Sequence, residues 1–137
     1  MIDQIRPIAE KVRAWADDWR RDGPTRFGAD LCGMCAICST QLHYELERAG
    51  ITGVVLVGNN HHVFLQYRHW IIDITATQFG VEDRVMIKTR RSVNAIDEDG
   101  WWTKDNVFDT REALYKWQHN WPAHQRCPET WAPVLKG

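Results

Sequence analysis

The sequence contains no long apolar run, and neither sign of charge is in excess. Its longest β-branched stretch lies around Val54 to Val57, far short of the roughly 20 apolar residues that a transmembrane helix needs. Lysine and arginine together number 17 and aspartate and glutamate 18, so the net charge is −1 with neutral histidine. A chain without excess positive charge lacks the attraction that holds nucleic acid or an anionic membrane surface. We therefore expect neither partner.

Signals for secretion, disorder and repetition are also missing. The N-terminal residues, MIDQIRPIAEKVRAW, have no apolar core of the kind found in secretory signals, so we expect a soluble, cytoplasmic protein and not a secreted digestive protease. Hydrophobic residues make up 44% of the chain and charged residues 26%, which excludes disordered and coiled-coil classes. A length of 137 residues predicts a single domain over 1–137. The compositional exception is tryptophan, which occurs eight times.

Apolar periodicity changes along the chain in a way that predicts an α+β domain. The first helix is expected over residues 2–21, where apolar residues recur at steps of three and four until Asp22-Gly23-Pro24. A second helix is expected over Cys35 to Ala49, with one apolar face formed by Cys35, Cys38, Leu42, Leu46 and Ala49. Three β-branched or aromatic runs then predict antiparallel strands, at 51–58, 62–67 and 70–74.

The C-terminal half gives weaker signals. Residues 84–88 are compatible with a further strand, and Asp97 to Gly100 have the composition of a loop. Within the C-terminal region 110–137, Thr110 can cap a helix that runs to about Trp121. The residues from Pro122 onward include three prolines, so we expect an ordered coil over the surface.

A chemically informative pattern begins at Cys35, the expected first residue of the second helix. Unpaired backbone N–H groups and the positive end of the helix dipole favour a thiolate there and can stabilise an oxyanion. His62 opens the second strand and Asp73 lies near the end of the third, positions that come side by side in an antiparallel pair. The three residues are therefore candidates for a nucleophile, a general base and the residue that orients the base.

Short motifs extend this pattern over the core region 33–79. They are Gly33-x-Cys35, the helix end Arg48-Ala49-Gly50-Ile51, the strand start His62-Val63-Phe64, the segment Trp70-x-x-Asp73-x-Thr75, and Gln78-Phe79. In this order and spacing they resemble the transglutaminase-like branch of the papain-like cysteine enzymes. In that family a cysteine begins the central helix, a histidine opens a strand, and an aspartate lies in a D-x-T turn. The ending through Phe79 is similar to that of small bacterial and phage members.

The resemblance implies a papain-like core, in which the central helix carrying the cysteine packs on a small antiparallel sheet. It implies Cys35 as nucleophile, His62 as base and Asp73 as the orienting residue, without a cofactor. The implied activity is that of a cysteine-dependent hydrolase or acyltransferase, which opens an amide or acyl bond through a thioester at Cys35. Peptidases, glutamine deamidases and transglutaminases share this machinery. We expect a protein substrate, with a small-molecule acyl donor as the alternative, and a role such as that of a bacterial or phage-type effector.

Residues outside the three catalytic candidates are expected to hold the substrate. Many papain-like enzymes place a glutamine before the nucleophile as an oxyanion donor, but no glutamine lies between Gln4 and Cys35. The backbone N–H of Cys35 then supplies one donor, and Asn59 and Asn60 are candidates for the second. Two aromatic rings in a loop, Trp101 and Trp102, can either wall a substrate cleft or fill the core. We take Trp101, Trp102 and Asn60 as the substrate-binding candidates.

The cysteines also allow other interpretations. Cys38 lies one helical turn after Cys35 on the same face and is expected to pack in the core, as is Cys32. Alternatively, the C-x2-C-x2-C spacing of Cys32, Cys35 and Cys38, together with the distant Cys127, matches that of iron–sulfur ligands. The same thiolates can bind zinc, with His61 or His62 as a further ligand. A third possibility is a catalytically idle protein-binding module of the same fold.

Overall fold

The computed structural model describes residues 1–23, 26–28 and 30–136 of the chain. In chain order, these residues form α1 (Ile2–Asp22), α2 (Cys35–Arg48), β1 (Val54–Gly58), β2 (Val63–Tyr67), β3 (Trp70–Asp73), β4 (Met86–Thr89), α3 (Arg90–Ile96), β5 (Asn106–Phe108) and α4 (Arg111–Trp117). Short 3-10 turns occur at Ala76–Phe79, Gln118–Asn120 and Ala123–Gln125. The α+β class is therefore confirmed. Within the described ranges, no helix combines the length with the apolar character that crossing a bilayer demands.

The five strands form one antiparallel sheet in the order β4-β3-β2-β1-β5. β1 and β2 form a hairpin in which Val57 lies opposite Phe64. β2 and β3 are joined by a two-residue turn, since Tyr67 pairs with Trp70. Within this turn Arg68 has a φ of 54°, a left-handed conformation that is unfavourable for a residue with a Cβ atom. The predicted pairing of the first three strands is confirmed, and it brings the start of β2 next to the end of β3.

Apolar residues cover both faces of the sheet. One face contributes Leu56, Leu65 and Ile72 to a core shared with α1 and α2. The alternate residues of the same strands belong to a second, smaller core with Val93 of α3 and Trp102, and they include Val57, Phe64, Ile71 and Met86. Because successive side chains of a strand point to opposite faces, β1 to β4 each supply both cores. This explains why the strands have nearly continuous apolar sequences rather than alternating ones.

The second helix packs its apolar face into the larger core, as its periodicity predicts. Cys38, Leu42 and Leu46 are buried there, and the Ser39 hydroxyl donates to the carbonyl oxygen of Val63 at 3.1 Å. Ala49 was expected on the same face, but this prediction is wrong because Ala49 follows the last helical residue and is exposed. The contact between α2 and β2 fixes the first residue of the helix at the end of the sheet where β2 begins.

Two elements of the C-terminal half were not predicted. α3 has only seven residues, of which only Val93 is buried, so no amphipathic period is visible in its sequence. β5 has three residues on the sheet edge and none of them is fully buried. Both lack the apolar repetition on which sequence-based assignment depends.

The boundaries of two other elements differ from those expected. β4 begins at Met86 instead of residue 84, and the carbonyl oxygen of Arg84 accepts from the Arg13 guanidinium at 3.3 Å. α4 has the predicted cap, since the Thr110 hydroxyl accepts from the backbone N–H of Ala113 at 3.2 Å. It ends at Trp117 and not near residue 121, because the chain tightens into the 3-10 turn that follows.

The C-terminal coil is attached to the outer face of α2 by hydrogen bonds with side chains in two successive turns of that helix. The Trp131 indole donates to the Thr40 hydroxyl at 3.0 Å, and the Gln41 amide donates to the carbonyl oxygen at residue 132, also at 3.0 Å. Glu45 is buried, and its carboxylate accepts from the backbone N–H of Val134 at 2.8 Å. The same carboxylate pairs with Arg48 at 2.6 Å. The predicted ordered coil is thus confirmed as far as residue 136, while Gly137 lies outside the described residues.

Candidate active site

His62 and Asp73 form a fully buried pair at the end of the sheet. His62 directly precedes β2, and Asp73 is the last residue of β3. The antiparallel pairing of these strands therefore brings the two side chains together, and His62 Nε2 lies 2.6 Å from Asp73 Oδ2. The exposed fraction of His62 is 0% and that of Asp73 is 1%. A carboxylate buried to this degree requires hydrogen-bond partners, which the histidine supplies in part.

Two further groups complete the hydrogen bonding of the Asp73 carboxylate. The indole Nε1 of Trp102 donates to Oδ2 at 2.8 Å, the same oxygen that His62 contacts. The other oxygen, Oδ1, accepts from the backbone N–H of Thr75 at 2.8 Å and from its hydroxyl at 3.1 Å. The carboxylate therefore has two donors on each oxygen, which fixes its plane and orients the imidazole.

Aromatic rings surround the imidazole of His62. Phe64 is stacked at a centroid distance of 5.7 Å, and Phe79 meets the ring edge to face at 4.7 Å. Trp102 lies edge to face at 6.3 Å, and Trp101 stacks on the outer side of Phe79 at 4.3 Å. This arrangement excludes water from the His62–Asp73 pair and strengthens the electrostatic interaction between them.

The interaction between the two residues raises the pKa of His62 and lowers that of Asp73. Burial by itself lowers the pKa of His62, but the Asp73 charge, the hydrogen bond to Asp73 and the proximity of Cys35 outweigh it and raise the pKa to about 10. Burial by itself raises the pKa of Asp73, but the His62 charge and the hydrogen bonds from His62, Trp102 and Thr75 lower it below its ordinary value of 3.8. At neutral pH the pair is therefore an imidazolium and a carboxylate.

Cys35 begins α2 and approaches the His62 ring from the side of the larger core. Its exposed fraction is 5%, and its thiol lies close enough to His62 to help raise the pKa of the imidazole. Asp73 occupies Nε2 of His62, so the nitrogen that remains for the thiol is Nδ1. This atom is buried and has no hydrogen-bond partner among the described residues. The structure thus brings together Cys35, His62 and Asp73, the three catalytic candidates of the sequence.

The start of α2 offers backbone donors beside the thiol. The first N–H groups of a helix have no intrahelical acceptor, and Met34, which precedes Cys35, makes no side-chain cap. No acidic residue lies in the first turn to compete for these donors. Gly33 immediately before has a φ of 88° and Leu31 one of 63°, so the chain enters the helix through a sharp turn. The arrangement can accommodate a negative oxygen at the helix start.

The substrate-binding candidates have different positions. Asn59 is not available as an oxyanion donor, because its amide donates to the carbonyl oxygens of Trp101 at 2.9 Å and Thr103 at 3.0 Å. Asn60 is exposed in the same loop. Trp102 is 2% exposed and belongs to the smaller core, while Trp101 is half-buried at the surface of the aromatic cluster. Of the two tryptophans, Trp101 is therefore the one with more of its ring exposed for contact with a substrate.

The cysteines do not assemble as ligands for a metal. Among the described residues, no group of three His, Cys, Asp or Glu side chains could hold an ion. Cys38 and Cys127 are buried, and burial raises the pKa of both thiols, that of Cys127 to about 12. Cys38 packs in the core as predicted, but Cys32 is exposed and its predicted burial is wrong. It lies in the turn before α2, three residues short of the helix.

Several residues that organise the site were not identified from sequence. Asp97 accepts from the backbone N–H groups of Trp101 at 2.7 Å and Trp102 at 2.9 Å, so one carboxylate fixes the loop that carries both rings. Arg90 donates to the carbonyl oxygen of Trp102 at 2.5 Å. The composition of the 97–102 loop indicated a turn, but nothing in the sequence shows that Trp102 reaches Asp73.

Comparisons with protein-family models, with curated proteins and with solved structures gave no match to this chain.

Proposed function

We propose that the chain is a cysteine-dependent hydrolase or acyltransferase that forms a thioester at Cys35, with a transglutaminase-like, papain-like core. The observation that carries the proposal is the buried ion pair of His62 and Asp73, which leaves Nδ1 of His62 for the Cys35 thiol. The packing of α2 against β1 and β2, with Cys35 at the first residue of the helix, is consistent with such a core.

The positive charge of His62 supports the activation of the thiol. Against the effect of burial, Asp73 raises the pKa of His62 to about 10, so the ring is an imidazolium at neutral pH. A cation beside the sulfur, together with the unpaired backbone N–H groups at the start of α2, favours the thiolate over the thiol. In the proposed reactive state Cys35 is therefore a thiolate beside the His62 imidazolium, which the Asp73 carboxylate stabilises.

The acylation step uses each of these groups. The thiolate sulfur attacks the carbonyl carbon of an amide, and the carbonyl oxygen becomes an oxyanion that accepts from the backbone N–H groups at the start of α2. The bond from carbon to nitrogen then breaks, and Nδ1 of His62 donates its proton to the departing amine or ammonia. The acyl group remains on Cys35 as a thioester.

The second step restores the enzyme. Water or an amine approaches the thioester, and His62, now neutral, takes a proton from it at Nδ1. The new bond to the acyl carbon forms as the bond to sulfur breaks, and the thiolate and imidazolium are regenerated. Water as acceptor gives hydrolysis or deamidation, whereas an amine gives transamidation.

Alkylation by iodoacetamide at different pH values tests the proposal, with each labelled cysteine identified by peptide mass. Cys32 serves as an internal control because it is an exposed thiol in the same chain. At pH 6 an ordinary exposed thiol is a thiolate in roughly one molecule in 300 and reacts slowly. We expect Cys35 to react at least about tenfold faster than Cys32 at pH 6, despite its burial. Replacing the base, His62→Ala, should remove this advantage.

The near-complete burial of the reactive sulfur favours one alternative, a binding module of the same fold without catalysis. The exposed fraction of Cys35 is only 5%, and the Phe79 and Trp101 rings cover His62. The same experiment distinguishes the two functions. If Cys32 reacts faster than Cys35 at every pH, the activated nucleophile is refuted and the binding module is favoured.

A further inference from the structure

We infer that a groove beside the candidate site binds a basic segment of the protein substrate. The groove, which we call the acidic groove, has a volume of about 450 Å³. It lies between residues 79–83, which follow β3, and residues 96–102, which follow α3. The inference rests on the proposed function, because it identifies the substrate class of that same site.

The acidic groove adjoins the catalytic candidates through its aromatic lining. Phe79 and Trp101 line it as a stacked pair with centroids 4.3 Å apart, and Phe79 contacts the His62 ring on its other side. Trp102, whose indole donates to Asp73, is also part of the lining. A chain that occupies the groove is therefore separated from the His62–Asp73 pair by a single layer of rings.

Its charged lining is strongly negative. Four carboxylates and one ammonium line the groove, giving a net charge of −3; they are Glu82, Asp83, Glu98, Asp99 and Lys88. Lys88 lies 4.0 Å from Asp83, but among the described residues no cation lies within salt-bridge distance of the other three. The whole chain has a net charge of only −1, so this surface departs from the average of the molecule. Uncompensated carboxylates attract a positively charged partner and steer its approach.

The apolar part of the groove suits the stems of long basic side chains. Ile96 is 47% exposed and lines the groove, although the isoleucines of the core are buried. An exposed apolar surface next to charged groups is typical of an interaction site. Lysine and arginine place their methylene stems on such surfaces and their cations over aromatic faces such as that of Trp101. Basic residues therefore match both the charge and the apolar surface.

The groove is also held in shape before any ligand arrives. Asp97 fixes the backbone of Trp101 and Trp102 through two hydrogen bonds, and Asn59 holds the carbonyl oxygens of Trp101 and Thr103 from the other side. Loops that are already ordered lose less conformational entropy on binding. A rigid acidic groove one layer of rings away from the His62–Asp73 pair would select substrates that carry basic residues near the reacting acyl group.

Fluorescence anisotropy with two labelled peptides tests this inference on the full chain. The probes are the hexapeptide Gly-Lys-Leu-Lys-Arg-Gly and its counterpart with glutamate at the three basic positions. Each peptide is titrated with the Cys35→Ala variant, which binds it without a reaction at the thiol, and the further substitutions are made in this variant. We expect the basic peptide to bind at least about tenfold more tightly than the acidic one at low ionic strength, and to weaken as salt rises. The double variant Glu98→Gln/Asp99→Asn should weaken binding about three- to tenfold, and Trp101→Ala by a similar factor.

A matched control changes the same amount of charge elsewhere. The double variant Asp3→Asn/Asp105→Asn removes two exposed carboxylates outside the groove and should leave binding within about twofold of the parent. Equal losses in the two double variants, or equal binding of the two peptides, would overturn the inference. Displacement of the peptide by an equal concentration of spermidine would also overturn it, since charge alone would then suffice. Because binding is measured without Cys35, the groove and the nucleophile can fail independently.

Discussion

Replacing Trp102 by phenylalanine should weaken the buried ion pair without opening the aromatic cluster. The indole N–H of Trp102 donates to Asp73 Oδ2 at 2.8 Å, and phenylalanine keeps an aromatic ring but has no donor. The neighbouring tryptophan provides a matched control, because Trp101 contributes its ring to the stack on Phe79 and its indole donates no hydrogen bond among the described residues. Trp101→Phe retains that stacking and leaves Asp73 untouched.

The expected cost follows from the burial of the acceptor. A hydrogen bond to a charged group contributes about 1.5–3 kcal/mol, and Asp73 is 1% exposed, so water cannot replace the lost donor. The smaller ring also leaves a gap in the second core that costs about 1 kcal/mol. We therefore expect Trp102→Phe to lower the free energy of unfolding by about 2.5–4 kcal/mol at pH 7. Trp101→Phe should lower it by less than about 1 kcal/mol.

The pH dependence separates the two contributions. The pKa of Asp73 is lowered in the folded chain, so the charged carboxylate stabilises the fold above its ordinary pKa of 3.8, and this stabilisation is lost as the pH falls toward the folded value. The indole donor stabilises the charged form, so its contribution disappears together with the charge. The difference between wild type and Trp102→Phe should therefore shrink toward about 1 kcal/mol in acid, where only the packing cost remains.

Urea titrations of the three proteins, at pH 7 and at the lowest pH where the wild type is still folded, measure these differences. Alkylation of Cys35 in the same proteins provides a second readout, because the indole helps to fix the plane of the carboxylate that orients the imidazole. We expect slower labelling of Cys35 in Trp102→Phe at pH 6 and no change in Trp101→Phe. A loss of stability that is equal at both pH values, or equal in both variants, would refute the role given to the indole.

Two further predictions concern the turn between β2 and β3 and the C-terminal coil. Arg68 has a φ of 54°, so Arg68→Gly should be more stable than Arg68→Ala by about 1 kcal/mol in thermal or urea unfolding. Both variants lose the arginine side chain, but only alanine keeps the backbone strain. Equal stabilities would contradict this prediction. Glu45→Ala removes the acceptor of the Val134 N–H, so hydrogen exchange at that amide should accelerate about ten- to a hundredfold. Unchanged protection of the amide would show that the coil is held by its other contacts.

The central part of the fold could be predicted because its sequence carries strong local signals. The apolar face of α2 is long enough for its period to be read, and the nearly continuous apolar runs of β1 to β3 are typical of buried strands. The antiparallel order of these strands follows from the short connections between them. The approach of His62 to Asp73 followed from that pairing. The position of Cys35 at the first residue of a helix was also correct.

The rest of the site depends on contacts between residues far apart in the chain. Trp102 reaches Asp73 across 29 positions, through a loop that Asp97 holds in place. The elements that bracket this loop, α3 and β5, are too short and too little buried to leave a periodic signal. Asn59 illustrates the same limit, because an asparagine near the nucleophile is as compatible with an oxyanion donor as with the loop contacts that it makes.

Because the site lies between two cores, it is complete only when both cores have formed. Cys35 belongs to the core on one face of the sheet, Trp102 to the core on the other, and the pair of His62 and Asp73 joins them at the end of the strands. A partly folded chain with one core formed would hold Cys35 or Trp102 in place, but not both around the His62–Asp73 pair. Under the proposed function, Cys35 would therefore be activated only in the final cooperative step, and an immature chain would not react with other proteins during its own synthesis.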